Sequence, residues 1–124
     1  MSISKDLAPR YLKIFLDDSY DFVTAIQETK DIPSIDERFR FRFDIFKSQF
    51  QTFEKLFHDT SAPLVINPGR YQVFILVVNK FIQLIENKLK QNVITKKDVH
   101  DLNIVYDELD NLGNQILEFV QDSI

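Results

Sequence analysis

The stretch from Phe39 to Phe57 constrains the fold of this chain more than any other part of the sequence. Six phenylalanines follow one another at alternating steps of four and three residues: Phe39, Phe43, Phe46, Phe50, Phe53 and Phe57. In an α-helix this spacing places all six rings within about 40° of one line, because successive residues are about 100° apart. Each ring can bury on the order of 150–250 Å². The sequence therefore predicts a helix whose phenylalanine stripe, formed by these six residues, faces the core.

Helix-start signals divide the chain into four helical segments of roughly 20–25 residues. These signals are Asp6 followed by Pro9, a capping box of Ser34 and Glu37, Asn67 followed by Pro68, and a second box of Thr95 and Asp98. The connections between the segments are about five to ten residues long, which favours antiparallel neighbours. We therefore expect an all-α fold, an antiparallel (up-down-up-down) four-helix bundle with a Phe-rich core, in a single domain over residues 1–124.

The third segment carries two adjacent apolar stripes. The first consists of Phe74, Val77, Phe81 and Leu84, and the second of Tyr71, Ile75, Val78, Ile82, Ile85 and Leu89. A face this wide indicates either the most buried helix or a second interface, with Ile75 and Ile82 as contact residues. In the fourth segment, Gly113 occupies a stripe position, where we expect it to make room for a ring from the second helix.

Composition excludes several classes of protein. With no cysteine among 124 residues, the chain has no disulfide, thiolate metal site or cysteine nucleophile. A net charge of −4 argues against a general nucleic-acid binder. No secretory signal opens the chain, and the longest apolar run, Val73 to Val78, is far shorter than the ~20 residues of a membrane span. We expect a cytoplasmic protein, and the abundance of Phe, Ile, Asn, Lys and Asp suits an AT-rich bacterial or phage genome.

The histidines do not fit the cofactor or catalytic sites common in helical bundles. Neither His58 nor His100 has a glutamate three residues before it, as di-iron bundles require. Met1 is the sole methionine, so a His–Met haem site is not supported. Both histidines are followed by aspartate instead of the Lys-Gly of phosphotransfer bundles. No glycine-rich phosphate loop or nucleophile motif occurs. We predict no enzyme activity, no catalytic residue, no metal and no cofactor.

Two surface features remain as candidate contact sites. Arg38, Arg40 and Arg42 lie near the N-terminus of the phenylalanine helix, where the helix dipole disfavours cations. Either Arg38 and Arg42 pair with Asp17, Asp18, Asp21 and Glu28 of the first helix, at about 0–1 kcal/mol per pair, or the arginines meet an acidic partner. Phe41 and Ile45 lie about 200° and 120° from the phenylalanine stripe, one turn apart. They are either covered by a neighbouring element or form an interface, because exposed apolar patches mark interaction sites.

These features predict a small non-enzymatic protein-binding or regulatory bundle. Its partner would be another protein, or a second copy in a homodimer, with no nucleic acid involved. By analogy of size and fold class, an inhibitor, immunity or antitoxin-like role is the expectation. The alternative is a carrier that holds a small apolar ligand or lipid between the helices.

Overall fold

Within the ranges that this computed structural model describes, residues 7–29, 33–58 and 68–122, the chain forms four helices. Side chains are described for residues 10–28, 33–56 and 69–118. The helices are α1 (Leu7–Thr29), α2 (Glu37–His58), α3 (Pro68–Gln91) and α4 (Lys96–Asp122). They make an all-α, antiparallel four-helix bundle, which confirms the predicted fold class.

Ring contacts between α1 and α2 show that these two helices are antiparallel. Phe15, early in α1, stacks on Phe53 with ring centroids 5.2 Å apart. Phe22, two turns later in α1, stacks on Phe46 at the same separation. Residues further along α1 therefore meet residues nearer the start of α2, as a short connection between the two helices requires.

Helix α1 packs against α2 and α4, and α4 packs against α3, whereas the backbones of α2 and α3 stay further apart. Two edge-to-face ring pairs fill the space between α2 and α3. The centroids of Phe46 and Phe81 lie 5.7 Å apart, and those of Phe53 and Phe74 lie 6.1 Å apart. Aromatic pairs prefer this geometry to face-to-face stacking, and a ring that stands on edge needs more room than an aliphatic side chain. The phenylalanine stripe thus bridges α2 and α3, the neighbours whose backbones stay further apart.

The stripe lies in the core as predicted. Phe43, Phe46, Phe50 and Phe53 are each less than 5% exposed, and Phe39 is half-buried against the same cluster. The side chain of Phe57 lies outside the described residues. All four helices contribute to this cluster of buried apolar residues, so the stripe is the centre of the fold.

Helix α2 begins differently from the prediction. Its N-cap is Asp36, whose Oδ1 accepts a hydrogen bond from the backbone N–H of Phe39 at 2.8 Å. The predicted box of Ser34 and Glu37 is therefore wrong. The Ser34 hydroxyl instead accepts a hydrogen bond of 3.5 Å from Asn92 Nδ2. The buried Ile35 explains the shift, because its backbone N–H donates to the Asn92 carbonyl (3.1 Å) and fixes where the chain enters the helix.

Asn92 ends α3 in the left-handed conformation, with φ of 61°. Its N–H donates to the Leu89 carbonyl at 3.2 Å, which satisfies one of the carbonyls left open at a helix C-terminus. Asparagine tolerates this conformation better than most residues. Together with its bonds to Ser34 and Ile35, this makes a polar connection between the end of α3 and the start of α2, here called the Asn92 junction.

The second predicted capping box is confirmed. The Thr95 N–H donates to Asp98 Oδ2 (2.9 Å), and the Asp98 N–H donates to the Thr95 hydroxyl (3.1 Å). Lys88 Nζ lies 2.9 Å from Asp98 Oδ1. Burial opposes ionisation of Asp98, but the bonds from Thr95 and Lys88 outweigh it, so the pKa of this carboxyl lies below its usual 3.8. The signals at Asp6 and Asn67 lie outside the described residues, although α3 does begin at Pro68.

Gly113 faces a ring, but one from α3 instead of the expected α2. A Cβ atom at this position would lie 2.6 Å from Leu16 Cδ2 and 3.0 Å from Phe74 Cε1. The ring comes from α3 because α4 packs beside α1 and α3. Glycine is the residue that allows this close approach of three helices.

Candidate protein-interaction site

A groove with a volume of about 450 Å³ runs between α1 and α2 on the outer side of the bundle, here called the α1–α2 groove. Its floor includes the core rings Phe15 and Phe53. Its walls carry Ile14 on α1 and both Phe41 and Ile45 on α2. The structure therefore brings the predicted outward pair of α2 to the edge of a surface depression.

The walls of the groove expose an unusual amount of apolar surface for one small region. Ile14 is 53% exposed, Phe41 is 65% exposed and Ile45 is 42% exposed. Isolated exposed apolar residues are normal, whereas contiguous patches mark interaction sites. Phe41 and Ile45 were predicted as surface residues, and among the described residues no helix covers them. The sequence analysis did not single out Ile14. This residue lies between the buried Leu12 and Phe15 in the sequence but is itself exposed.

Local helix geometry explains why α2 contributes so many lining residues. Phe41, Ile45, Ser48 and Thr52 recur at steps of four, three and four, so they form one stripe along the outward side of the helix. The phenylalanine stripe has the same spacing on the inward side. The outward stripe is apolar at Phe41 and Ile45 and polar at Ser48 and Thr52, whereas the inward stripe is apolar throughout and packs into the bundle.

The charged residues that line the groove are both acidic. Asp18 comes from α1 and Asp44 from α2, and no lysine or arginine belongs to the described lining. Asp18 is partly buried, and its pKa is raised by this burial and by the neighbouring charges of Asp21 and Asp17. No cation contributes to this shift. The α1 wall therefore presents negative charge beside apolar surface.

Arg40 has a structural role within the fold, and its assignment to the contact surface stays a prediction. The side chain is half-buried, and its guanidinium donates to the Leu89 carbonyl (3.0 Å) and to Asn92 Oδ1 (2.9 Å). A cation is favourable at a helix C-terminus, where carbonyl groups point outward. Arg40 therefore belongs to the Asn92 junction, on the α3 side of α2.

Arg38 and Arg42 are exposed, and both lie near the acidic side of α1. Arg42 lines a depression of about 300 Å³ together with Asp18 and Asp21. Arg38 and Arg42 also share a second depression of about 390 Å³ with Glu28. The antiparallel pairing thus brings both arginines toward the predicted carboxylates. Among the described side chains, however, neither arginine forms an ion pair.

The proposed contact pair on α3 is not supported. Ile82 is 7% exposed and belongs to the core, and Ile75 is half-buried against it. Both face α2, because Glu86, one turn after Ile82, lies 3.6 Å from Lys47 of α2. The assignment of Ile82 to the surface is therefore wrong. The exposed large apolar residues of α3 are instead Leu76, which is 68% exposed, and Val73, which is 44% exposed.

Tyr106 is a buried titratable group apart from the groove. Its hydroxyl is buried without a hydrogen-bond partner in the described part of the chain. Burial raises the pKa of this phenol, as do the charges of Asp110, Tyr20, Asp107 and Asp17. The hydroxyl stays protonated across the physiological range, and this position offers no base or nucleophile to a reaction.

In residues 10–28, 33–56 and 69–118, no cluster of three or more histidine, aspartate or glutamate side chains has the arrangement of a metal site. None of the described helices combines the length and the apolar composition needed to cross a membrane. Comparison with protein-family models, with curated proteins and with solved structures finds no match to this chain.

Proposed function

We propose that this chain is a small non-enzymatic, regulatory protein that acts by binding another protein in the α1–α2 groove. One observation carries the proposal: Ile14, Phe41 and Ile45, from two different helices, expose apolar surface around one groove. Such a surface costs free energy in water, at about 25 cal/mol per Å², and a bound partner recovers that cost.

The groove is suited to binding because its floor consists of rings that are already packed in the core. Phe15 and Phe53 are 2% and 4% exposed, and their rings stack 5.2 Å apart. Rings fixed by packing do not need to be ordered when a partner binds, so little conformational entropy is lost. Protein-binding sites commonly place a few large apolar contacts at the centre and polar groups at the edge. Here Ser48, Gln49 and Thr52 supply such an edge.

The chemistry of the lining also favours binding over catalysis. Its described polar groups are two carboxylates, one amide, one phenol and two hydroxyls, with no histidine among them. Catalytic sites combine a nucleophile or acid with a base that orients it. In the described residues no hydrogen bond or ion pair joins one of these polar groups to another, so none orients another, which supports a non-enzymatic role.

A double variant, Phe41→Ser with Ile45→Ser, tests the proposal. Both side chains are exposed, so the variant should melt at nearly the parent temperature. Loss of two large apolar contacts should remove roughly 3–6 kcal/mol of binding free energy, which weakens association by about a hundred-fold or more. Affinity capture with mass spectrometry, together with sedimentation, measures partner binding and self-association.

Leu76→Ser is the matched control, because Leu76 is as exposed as Phe41 but lies on α3. It should leave association unchanged. The proposal fails if the double variant captures the same proteins and associates as the parent does. It also fails if the double variant melts early while the parent is monomeric, since these residues would then be structural.

A second candidate function is the binding of a small apolar molecule or lipid. The groove volume of about 450 Å³ supports it, because ligand pockets occupy about 300–1,000 Å³. The predicted location, between the helices, is occupied where Phe46 stacks with Phe22 and meets Phe81, so the groove is the better location. Native mass spectrometry of the purified chain separates the two functions, since a carrier should retain a molecule that is lost in an Ile45→Trp variant.

A further inference from the structure

If the α1–α2 groove binds a protein as proposed above, we infer that its occupant is a cationic amphipathic helix of another protein. The inference combines the elongated shape of the groove with the position of Asp18 and Asp44 on its two walls.

The shape of the groove fits a third helix. Its lining on α2 extends from Phe41 to Leu56, a length of about 22 Å at the helical rise of about 1.5 Å per residue. About four turns of a partner helix would span this length. Two antiparallel helices form a shallow depression along their line of contact, and an amphipathic helix can place its apolar face there. Such a helix would meet Ile14 on one side and Phe41 and Ile45 on the other.

The charge of the groove selects the chemistry of that helix. Asp18 and Asp44 are the charged residues of the described lining, and they lie on opposite walls. Asp17 and Asp21 add negative charge within one turn of Asp18. Arg42 lies beyond the lining, in the neighbouring depression, and forms no ion pair among the described side chains. A partner helix with lysine or arginine on each side of its apolar stripe would place a cation near Asp18 on one wall and near Asp44 on the other.

The same charges disfavour a second copy of this chain. A two-fold contact through the α1–α2 groove would place Asp18 and Asp44 of both copies in one interface. Four carboxylates would then approach one another where water is excluded, and like charges at an interface oppose association. A cationic helix meets no such repulsion.

Synthetic peptides of about 18 residues test the inference without knowledge of the natural partner. The first peptide carries leucines at positions i, i+4, i+7 and i+11 with lysines beside them. The second replaces the lysines with glutamates, and the third keeps the composition of the first but scrambles the leucine spacing. Fluorescence anisotropy with the full chain should show binding of the first peptide and at least tenfold weaker binding of the other two.

Protein variants locate the site and its charge. Asp18→Asn with Asp44→Asn should weaken the first peptide about three- to tenfold, the range expected for exposed ion pairs. A matched pair with the same change in net charge, Asp101→Asn with Glu108→Gln on α4, should leave its affinity unchanged. Phe41→Ser with Ile45→Ser should abolish binding. Equal binding of the lysine and glutamate peptides, or equal losses in both pairs of charge variants, would overturn the inference.

The remaining outcomes separate the inference from the function on which it rests. If no peptide binds, and the parent is a dimer that Phe41→Ser with Ile45→Ser dissociates, the occupant is a second copy. Protein binding through the groove then stands, and the cationic helix is wrong. If the parent binds no peptide, is monomeric and captures the same proteins as that double variant, both the inference and the proposed function are wrong.

Discussion

Phenylalanine occurs on both the inner and the outer side of the α1–α2 pair, but it is buried on one side and exposed on the other. Phe46 is 2% exposed and stacks on Phe22 inside the bundle. Phe41, on the same helix, is 65% exposed beside Ile45. The inner rings hold the four helices together, whereas the described fold makes no comparable use of the outer ones. Residues that the fold does not require are the ones most available for binding a partner.

Carboxylates show the same division. Asp98 takes part in a reciprocal capping box and an ion pair, and its pKa is lowered. Asp18, at the groove, is partly buried beside like charges, and its pKa is raised. The first carboxylate stabilises the fold and the second opposes it. Asp18 is also the carboxylate that borders the exposed apolar side chains of the α1–α2 groove.

The largest expected effect is a difference in stability between alanine variants of the inner Phe46 and the outer Phe41. Phe46→Ala should lower the free energy of unfolding by about 3–5 kcal/mol, because it leaves a cavity in the core. Phe41→Ala should change it by less than about 0.5 kcal/mol, as is usual for exposed positions. Urea denaturation of both variants measures the difference. A loss above about 1 kcal/mol for Phe41→Ala would mean that the outer side is structural after all.

Gly113 measures how tightly the inner side is packed. Gly113→Ala should destabilise the protein by about 1–3 kcal/mol, because the added methyl group meets Leu16 and Phe74. At an exposed helical position the same change should stabilise by up to about 1 kcal/mol. Gly69→Ala, exposed in the first turn of α3, is the control. Thermal melting that shows stabilisation by Gly113→Ala would indicate that the packing adjusts at no cost.

Arg40 and Arg42 are a matched pair on opposite flanks of α2. Arg40→Gln should cost about 1–2 kcal/mol, because it removes charged hydrogen bonds to the end of α3. Arg42→Gln should cost less than about 0.5 kcal/mol. Equilibrium denaturation under matched salt conditions compares the two. Equal losses would contradict the structural role assigned to Arg40.

The smallest expected effects have opposite signs for Asp98 and Asp18. Asp98→Asn should cost about 1 kcal/mol at pH 7, since the box is weakened. The pKa of Asp98 is lower in the folded state than in the unfolded state. The stability that Asp98 contributes is therefore present above about pH 4 and is lost as the pH falls through the lowered pKa.

The folded pKa of Asp18 is raised, so the reverse holds. Stability linked to its protonation is present below its ordinary 3.8 and is lost as the pH rises through the raised value. Asp18→Asn should therefore slightly stabilise the protein at pH 7 and have no effect below pH 3. Urea titrations of both variants at these two pH values test the signs. Destabilisation by Asp18→Asn at pH 7 would show that this carboxylate has a partner.

Periodicity in the sequence was sufficient to predict the inner side. The alternating spacing from Phe43 to Phe53 specifies one buried line on a helix, whatever its neighbours are. The same spacing singled out Phe41 and Ile45 as outward residues, and this is where the structure places them. Their function as a binding surface stays a prediction.

What the sequence could not supply depended on contacts between distant segments. Asp36 replaces Ser34 as the cap because Ile35 is bound to Asn92, a residue far along the chain. Ile82 is buried because α2 lies on its side of α3, and no local pattern says which flank a neighbouring helix will cover. Arg40 likewise gained its role from the end of another helix.

The Asn92 junction also bears on the order in which the chain folds. Its bond to Leu89 is local, whereas its partners Arg40 and Ser34 are 52 and 58 residues away. Local contacts close short loops and form early, whereas distant ones must first overcome a larger loss of chain entropy. In the α3–α4 hairpin, Asn92 ends α3 and Thr95 caps the start of α4. We therefore expect this hairpin to form a nucleus on which α2 docks later. In folding kinetics, Thr95→Ala should mainly slow folding, and Arg40→Gln should mainly speed unfolding.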